Sequence, residues 1–565
     1  MRHRILGIFL LLFLSLGGVA AKLFFLQIQQ SDRLTARAAK QYERRLPILS
    51  RRGTIYDRTG RELAVSLQVA SVFAQPAAIE DPAGTAKTLA PILGQPAKDV
   101  LARLTTDKPF VWLQRQLDPP KAEAIADLNL RGIGLFPESR RYYPRQELAA
   151  HVLGLVGLDD RGLEGLEHQF DDLLGGQPQF VVAQQDALGR IIFRQEESRP
   201  QAPIFDLTLT IDEVIQYIAE RELARAVERS RAKAGTAIVM DPATGDILAL
   251  ANQPTYDPNT YRKATSAARR NRAVTDAFEP GSAFKVILLA GALEEGAVRP
   301  GDRFHGENGA IEVSGVTIRD HEKYGWLTVR QILTQSSNVG AIKIGQKLGK
   351  SLYYHYISGF GFGSLTGLDL PGETPGLMRR PRGWSALSLS VLSLGQEISV
   401  TPVQIATAFS AVANGGNLVR PHVVRGLRAV DGSLQRQVEP VVIRRVISSE
   451  TARMLLDMMR GVVEEGTGKE AALEEYSVAG KTGTAQKLDP ATGRYSHQKV
   501  VASFVGAVPA EAPRLVILVL IDEPETLRWG GSIAAPTFRE IARDALKYLQ
   551  VPPSPARDVR LVRVS

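Results

Sequence analysis

Ser282 and Lys285 stand three residues apart in EPGSAFKVILLAGALEEG (279–296), directly after the turn-forming Pro280-Gly281. On a helix that spacing places both side chains on one face, within reach of each other. A serine hydroxyl is a poor nucleophile until a base removes its proton. A lysine kept neutral by burial and nearby positive charge can be that base. The apolar run 286–290 supplies a motive for burial, and a helix N-terminus favours a developing oxyanion. Alone, however, the pair also reads as a helix cap beside a solvated lysine, which is the more ordinary case. The same Ser-x-x-Lys pattern recurs at Ser230–Lys233 and Ser496–Lys499. The first sits at the polar end of a helix and the second in a charged loop, and both are expected to be solvated surface.

Two further motifs change the balance. TQSSNVG places Ser336, Ser337 and Asn338 54 residues beyond Ser282, at the only Ser-x-Asn of the chain. VAGKTGTAQ places Lys481, Thr482, Gly483 and Thr484 145 residues beyond Ser336, at the only Lys-Thr-Gly. Separately these are a capped loop and a strand with a glycine bulge. In this order they resemble the motif set of penicillin-binding proteins and serine β-lactamases. The division of labour then follows: Ser282 attacks a carbonyl with Lys285 as base. Ser336 relays a proton to the departing amine, and Asn338 orients Lys285 or holds substrate amides. Lys481 supplies positive charge that keeps Lys285 neutral and attracts a substrate carboxylate. Thr482 and Thr484 offer hydroxyls to that carboxylate, and Gly483 allows close backbone approach. The backbone N–H groups of Ser282 and Thr484 would form the oxyanion hole.

Other chemistries find little support. There is no cysteine, which excludes disulfides and thiolate sites. The eight histidines form no His-Glu-x-x-His pair, and no Gly-x-Ser-x-Gly elbow is present. No metal or cofactor is expected. A net charge of +9 suits an anionic membrane or wall polymer. No zinc-finger spacing or RNA-binding aromatic signature points to nucleic acid, so no nucleic-acid partner is expected.

These residues must be positioned by a large chain: 565 residues imply two or three domains. Arg2, His3 and Arg4 precede an apolar run that continues past Lys22 to Leu26. As a helix it is long enough for a bilayer core, with its basic side in the cytoplasm and the bulk of the chain outside. Val19-Ala20-Ala21 leaves a cleaved signal peptide open. The expected organisation is a stub and anchor (1–26), an α+β pedestal (27–200) and a second domain (201–550). A Pro/Arg-rich tail (551–565) ends the chain. The pedestal begins with a charged juxtamembrane helix over 27–47, and its boundary is RQEESRPQAPIF (194–205). The second domain has strands at both ends and helices between, which argues for an antiparallel sheet flanked by helices.

From the anchor to about residue 548 the chain resembles a class B penicillin-binding protein. RRGTIYDRTGRELA, RRYYPRQELAAHVLG, GLEGLEHQFD and DALGR are similar to the family's dimerisation-type pedestal motifs. MDPATGDILALANQPTYDPN, RNRAVTDAFEPGSAFK, LTQSSNVG and VAGKTGTAQ are similar to its transpeptidase domain. The resemblance implies an α+β fold with a penicillin-binding/β-lactamase-like domain and peptidoglycan D,D-transpeptidase activity. The donor would be a stem peptide ending in D-Ala-D-Ala and the acceptor an amine on a neighbouring stem, with β-lactams acylating Ser282. It also implies an inner-membrane, single-pass protein working with a SEDS-type glycosyltransferase and other division proteins. RNRAVTDAFEPGS is most like the septal branch, whereas LGQEISVTPVQ (394–404) leaves an elongation role open. A D,D-carboxypeptidase, a β-lactamase, a β-lactam sensor and a non-catalytic scaffold are the competing readings.

Overall fold

The computed structural model describes residues 1–48, 52–175, 179–185, 191–196, 204–429, 431–489 and 493–554. The boundary residues 197–203, the DALGR motif (186–190) and most of the tail (555–565) lie outside the described residues. The apolar N-terminal run forms the helix Arg2–Phe24, extended by a π turn Phe25–Gln29, and none of it is buried. It is long and apolar enough to cross a membrane. The juxtamembrane segment differs from the sequence expectation. A helix covers only Ser31–Tyr42, and Glu43–Ile48 is a strand paired antiparallel with Gln179–Gln185. Pro47 disfavours helix in the residue before it, and cross-strand pairing overrides the local helix propensity.

The chain divides into two compact units, one of residues 1–51, 68–139 and 176–203, the other of 52–67, 140–175 and 204–565. In the first, the later residues of the strand Glu62–Ala74 pair antiparallel with Val111–Leu117. The helices Pro82–Leu93, Ala97–Leu104 and Pro119–Asp127 bury Leu89, Val100 and Ile125 in a core with Val72 and Leu113.

The second unit draws in chain from before residue 201 for an identifiable reason. The Arg52 guanidinium is buried, 2.6 Å from Glu167 and 2.7 Å from Asp171, and Arg141 meets Glu167 at 2.6 Å. Breaking such a group would strand a buried charge, so segments 52–67 and 140–175 are held together here. The strand Phe205–Leu209 pairs in parallel with Ile55–Tyr56 and antiparallel with Val424–Ala429.

The centre of this unit is a five-stranded antiparallel sheet. Its spatial order is Ile247–Gln253, Ala234–Met240, Leu515–Asp522, Arg494–Val508, Ala479–Asp489. Strands of continuous apolar sequence such as LVILVLID read as buried on both faces, and each face has its own core. One core joins the sheet to the helices Glu213–Ser230 and Ala534–Tyr548 through Leu223, Val519 and Phe538. The other packs it against the helical middle through Ile238, Val505, Leu288, Phe409 and Met459. Asp212 caps the first of these helices by accepting from the backbone N–H of Val214 and Ile215. The two extra Ser-x-x-Lys matches keep the exposed lysines expected of them, Lys233 and Lys499, but their serines differ from expectation. Ser230 is buried, its hydroxyl donating to the Ala226 carbonyl at 2.7 Å, because its helix end is covered rather than solvated. Ser496 lies within the strand Arg494–Val508, since the charged stretch continues a hairpin instead of looping out.

Candidate active site

Ser282 and Lys285 do not share one α-helix. Gly281–Phe284 is a single 3₁₀ turn, and the α-helix begins at Lys285. In a 3₁₀ turn residues three apart eclipse one another, so the tighter geometry still stacks these two positions. The turn is pinned by glycines. Gly281 has φ +54°, and a Cβ there would lie 3.0 Å from the Thr484 carbonyl oxygen. Gly395, at φ +77°, donates nothing to chemistry, but a Cβ on it would come within 2.2 Å of the Gly281 carbonyl oxygen. The Gly281 N–H donates back to the Gly395 carbonyl at 3.1 Å. The expected outcome for Gly395→Ala is a loss of roughly 2–4 kcal/mol of stability through backbone clash and left-handed strain. Thermal denaturation measures it, and a melting temperature equal to that of the parent protein contradicts the strap.

Three distant segments converge on Ser336. Lys285 Nζ donates to the Ser336 carbonyl at 2.5 Å, to Asn338 Oδ1 at 2.8 Å and to Ser336 Oγ at 3.3 Å. Lys481 Nζ donates to Ser336 Oγ at 3.0 Å, to the Thr482 carbonyl at 3.1 Å and to Thr482 Oγ1 at 3.3 Å. The Ser336 hydroxyl therefore bridges two amines while retaining its own proton to donate. Its backbone has φ +59°, a sparsely populated conformation for a serine. The Asn338 amide is oriented by its Nδ2, which donates to the Arg319 carbonyl at 2.8 Å and leaves Oδ1 facing Lys285.

Both lysines are essentially without solvent contact, at 1% and 0% exposure. Burial pushes Lys285 down to about 7, against an opposing pull from Asp320. Burial also pushes Lys481 well below the ordinary lysine range, and the neighbouring Lys285 pushes it further. Two ammonium ions therefore do not coexist here at neutral pH. Each amine reaches three oxygens, and both count the Ser336 hydroxyl among them. That hydroxyl can accept from an ammonium on one side and donate to a neutral amine on the other.

Ser282 lines a cavity of about 580 Å³ together with Asn338, Thr484, Gln396 and Trp529. Among the described residues its hydroxyl has no hydrogen-bond partner. Thr484 Oγ1 accepts from the Gly530 N–H at 3.1 Å, leaving its proton for a ligand. Thr482 is buried and does not reach this cavity; its hydroxyl is 2.7 Å from that of Thr467. Gly483 is a close-approach position, since a Cβ there would stand 2.4 Å from Ser503 Oγ and 3.1 Å from the Pro280 carbonyl oxygen.

Several supporting residues carry no motif. Asp320 accepts from the Ser337 hydroxyl at 2.8 Å and from the backbone N–H of Asn338 and of Val339. It thus holds the Ser-Ser-Asn loop and places a negative charge near Lys285. Thr467 and the Gly395 strap were equally silent in the sequence. The Gly530-Gly531 pair, between a strand and the last helix, is a sequence signal that could have pointed to a close backbone approach.

A sheet covered by helices, with serine, lysine and hydroxyl groups from three segments meeting beside a cavity, defines the serine acyl-transfer class that penicillin recognises. Comparison with known proteins narrows this. Residues 235–543 match the penicillin binding protein transpeptidase domain, and residues 47–209 the penicillin-binding protein dimerisation domain. The chain belongs to the class B penicillin-binding proteins. It is 35% identical over 559 residues to stage V sporulation protein D of Bacillus subtilis, covering 96% of this chain and 86% of that one. It is also 35% identical over 554 residues to the peptidoglycan D,D-transpeptidase FtsI of Escherichia coli K12, covering 96% and 91%. Penicillin binding protein 3 of Mycobacterium tuberculosis, solved in complex with aztreonam, superposes with a TM-score of 0.72. Its sequence identity is 28%, over 90% of this chain and 98% of that one.

Proposed function

We propose that the protein is a peptidoglycan D,D-transpeptidase that forms crosslinks through an acyl-enzyme on Ser282. The observation that carries this reading is the Ser336 hydroxyl held between two buried amines, beside the cavity that Ser282 lines. Neutral Lys285 takes the Ser282 proton as Oγ attacks the penultimate D-Ala carbonyl of a donor stem. The oxyanion forms against the backbone N–H groups of Ser282 and Thr484. Ser336 passes the proton to the amine of the terminal D-Ala, which leaves, and Lys481 keeps that hydroxyl in a positive field. An amine of a neighbouring stem then attacks the ester, gives up its proton by the reverse path and releases Ser282. Thr484 receives the donor carboxylate, the buried Lys481 charge attracts it, and Thr482 acts from below by holding Lys481. Incubating the protein with a D-Ala-D-Ala donor and an amine acceptor tests this. Crosslinked product supports transfer, and hydrolysed donor alone contradicts it.

Asp320 gives this mechanism a titratable signature. Its charge raises the affinity of Lys285 for a proton, so Asp320→Asn should move the acidic limb of the acylation profile to lower pH. A limb that moves upward, or stays, contradicts the placement of that charge. The basic stub before the apolar helix supports a cytoplasmic N-terminus in the inner membrane, with residues 27–200 as pedestal and 201–550 as the working domain outside. The full-length likeness to FtsI supports a septal role alongside a SEDS-type glycosyltransferase and other division proteins. A fluorescent fusion at midcell agrees with this, and sidewall patches assign it to elongation instead.

A further inference from the structure

The cavity beside Ser282 carries a charge that the reaction above does not use. No carboxylate lines it among the described residues, and the one fully charged side chain in its wall is Arg528. The Arg528 guanidinium makes no ion pair among the described residues; its Nε donates to the Glu525 carbonyl at 3.2 Å, leaving the terminal nitrogens open. The loop bearing it is fixed to the catalytic strand. Gly530 N–H donates to Thr484 Oγ1, and a Cβ on Gly530 would stand 2.4 Å from the Gly483 carbonyl oxygen. Its neighbour Trp529 is 57% exposed, with its ring 5.2 Å from that of His321 in an edge contact. His321 follows Asp320, which anchors the Ser-Ser-Asn loop. Arg528 is thus presented into the cavity on backbone tied to the strand of Lys481.

We propose that Arg528 selects donor stems carrying a second carboxylate, on a residue upstream of the scissile D-Ala-D-Ala bond. On that reading the terminal carboxylate has its own partner in Thr484 and the attraction of the Lys481 charge, so this guanidinium is free for another anion. A planar guanidinium suits a carboxylate because it can donate two parallel N–H groups. The inference rests on the transpeptidase reading of the same site.

Two synthetic donors test it, identical except that the upstream carboxylate is free in one and amidated in the other. Acylation of Ser282 in the full-length protein is followed by intact mass. The parent protein is expected to favour the free carboxylate by roughly fivefold in kcat/KM, the scale of a partly exposed charge-assisted pair. Arg528→Gln brings that ratio to about one, Arg528→Lys keeps part of it, and Arg528→Glu inverts it. An inverted preference cannot arise from misfolding. Equal use of both donors by the parent, or a preference unchanged in Arg528→Glu, overturns the inference alone. No acylation by either donor overturns the transpeptidase reading and the inference with it.

Discussion

Ser282→Ala abolishes covalent labelling by penicillin and lowers crosslinking by at least roughly 10⁴-fold, the scale of losing a nucleophile that acts as part of a unit. Alanine has no oxygen with which to form the ester, whatever else remains of the pocket. The change is also small. Position 282 lies in a 3₁₀ turn whose backbone is held by Gly281 and Gly395, and its hydroxyl has no partner among the described residues to lose. The fold should therefore persist, and near-parental thermal denaturation alongside lost labelling separates chemistry from unfolding. Labelling retained in the variant would place the nucleophile elsewhere.

Lys285→Met removes the base while nearly preserving shape, and is expected to slow acylation by roughly 10³-fold. Met fills the volume of the lysine stem without bringing a charge into a site of 1% exposure. Three donor contacts, to the Ser336 carbonyl, Ser336 Oγ and Asn338 Oδ1, disappear together. Some misplacement of Ser336 therefore contributes to the loss. The measurement is the second-order rate constant for penicillin acylation. A reduction under about tenfold would show that another group takes the Ser282 proton.

Local pattern carried much of the fold. The turn between the two β-rich runs of TAIVMDPATGDILALAN forms a hairpin, and Asp212 and Ser448, residues of the capping type, stand where helices begin. The strands around VAGKTGTAQ, VVASFVGAVP and RLVILVLIDEP lie side by side in one sheet. What escaped depends on contacts between distant residues. Ser230 looks polar and terminal, yet the loop at Glu525 and Thr526 covers it, their N–H groups donating to its carbonyl. Nothing near Arg52 announces Glu167, 115 residues away. The candidate site shows the same division. Ser282, Lys285, Ser336, Asn338 and Lys481 stood out by type and order. Asp320, Thr467 and Gly395 did not, because an aspartate, a threonine or a glycine in a loop has many ordinary uses. Thr482 and Thr484 looked alike as hydroxyl donors. The structure separates them: one is engaged with Thr467 and the other lines the cavity.

All of the proposed chemistry turns on Ser282 giving its proton to an uncharged Lys285, and the pH dependence of its acylation addresses that most directly. Penicillin adducts on the tryptic peptide containing Ser282 can be timed by mass spectrometry from pH 5 to pH 9. Lys285 is neutral only above its value of about 7, so the rate should rise through neutrality and level off. Below the bend it should fall roughly tenfold per pH unit. A rate that is flat across this range or declines with rising pH, or an adduct on any other residue, would contradict that proton transfer.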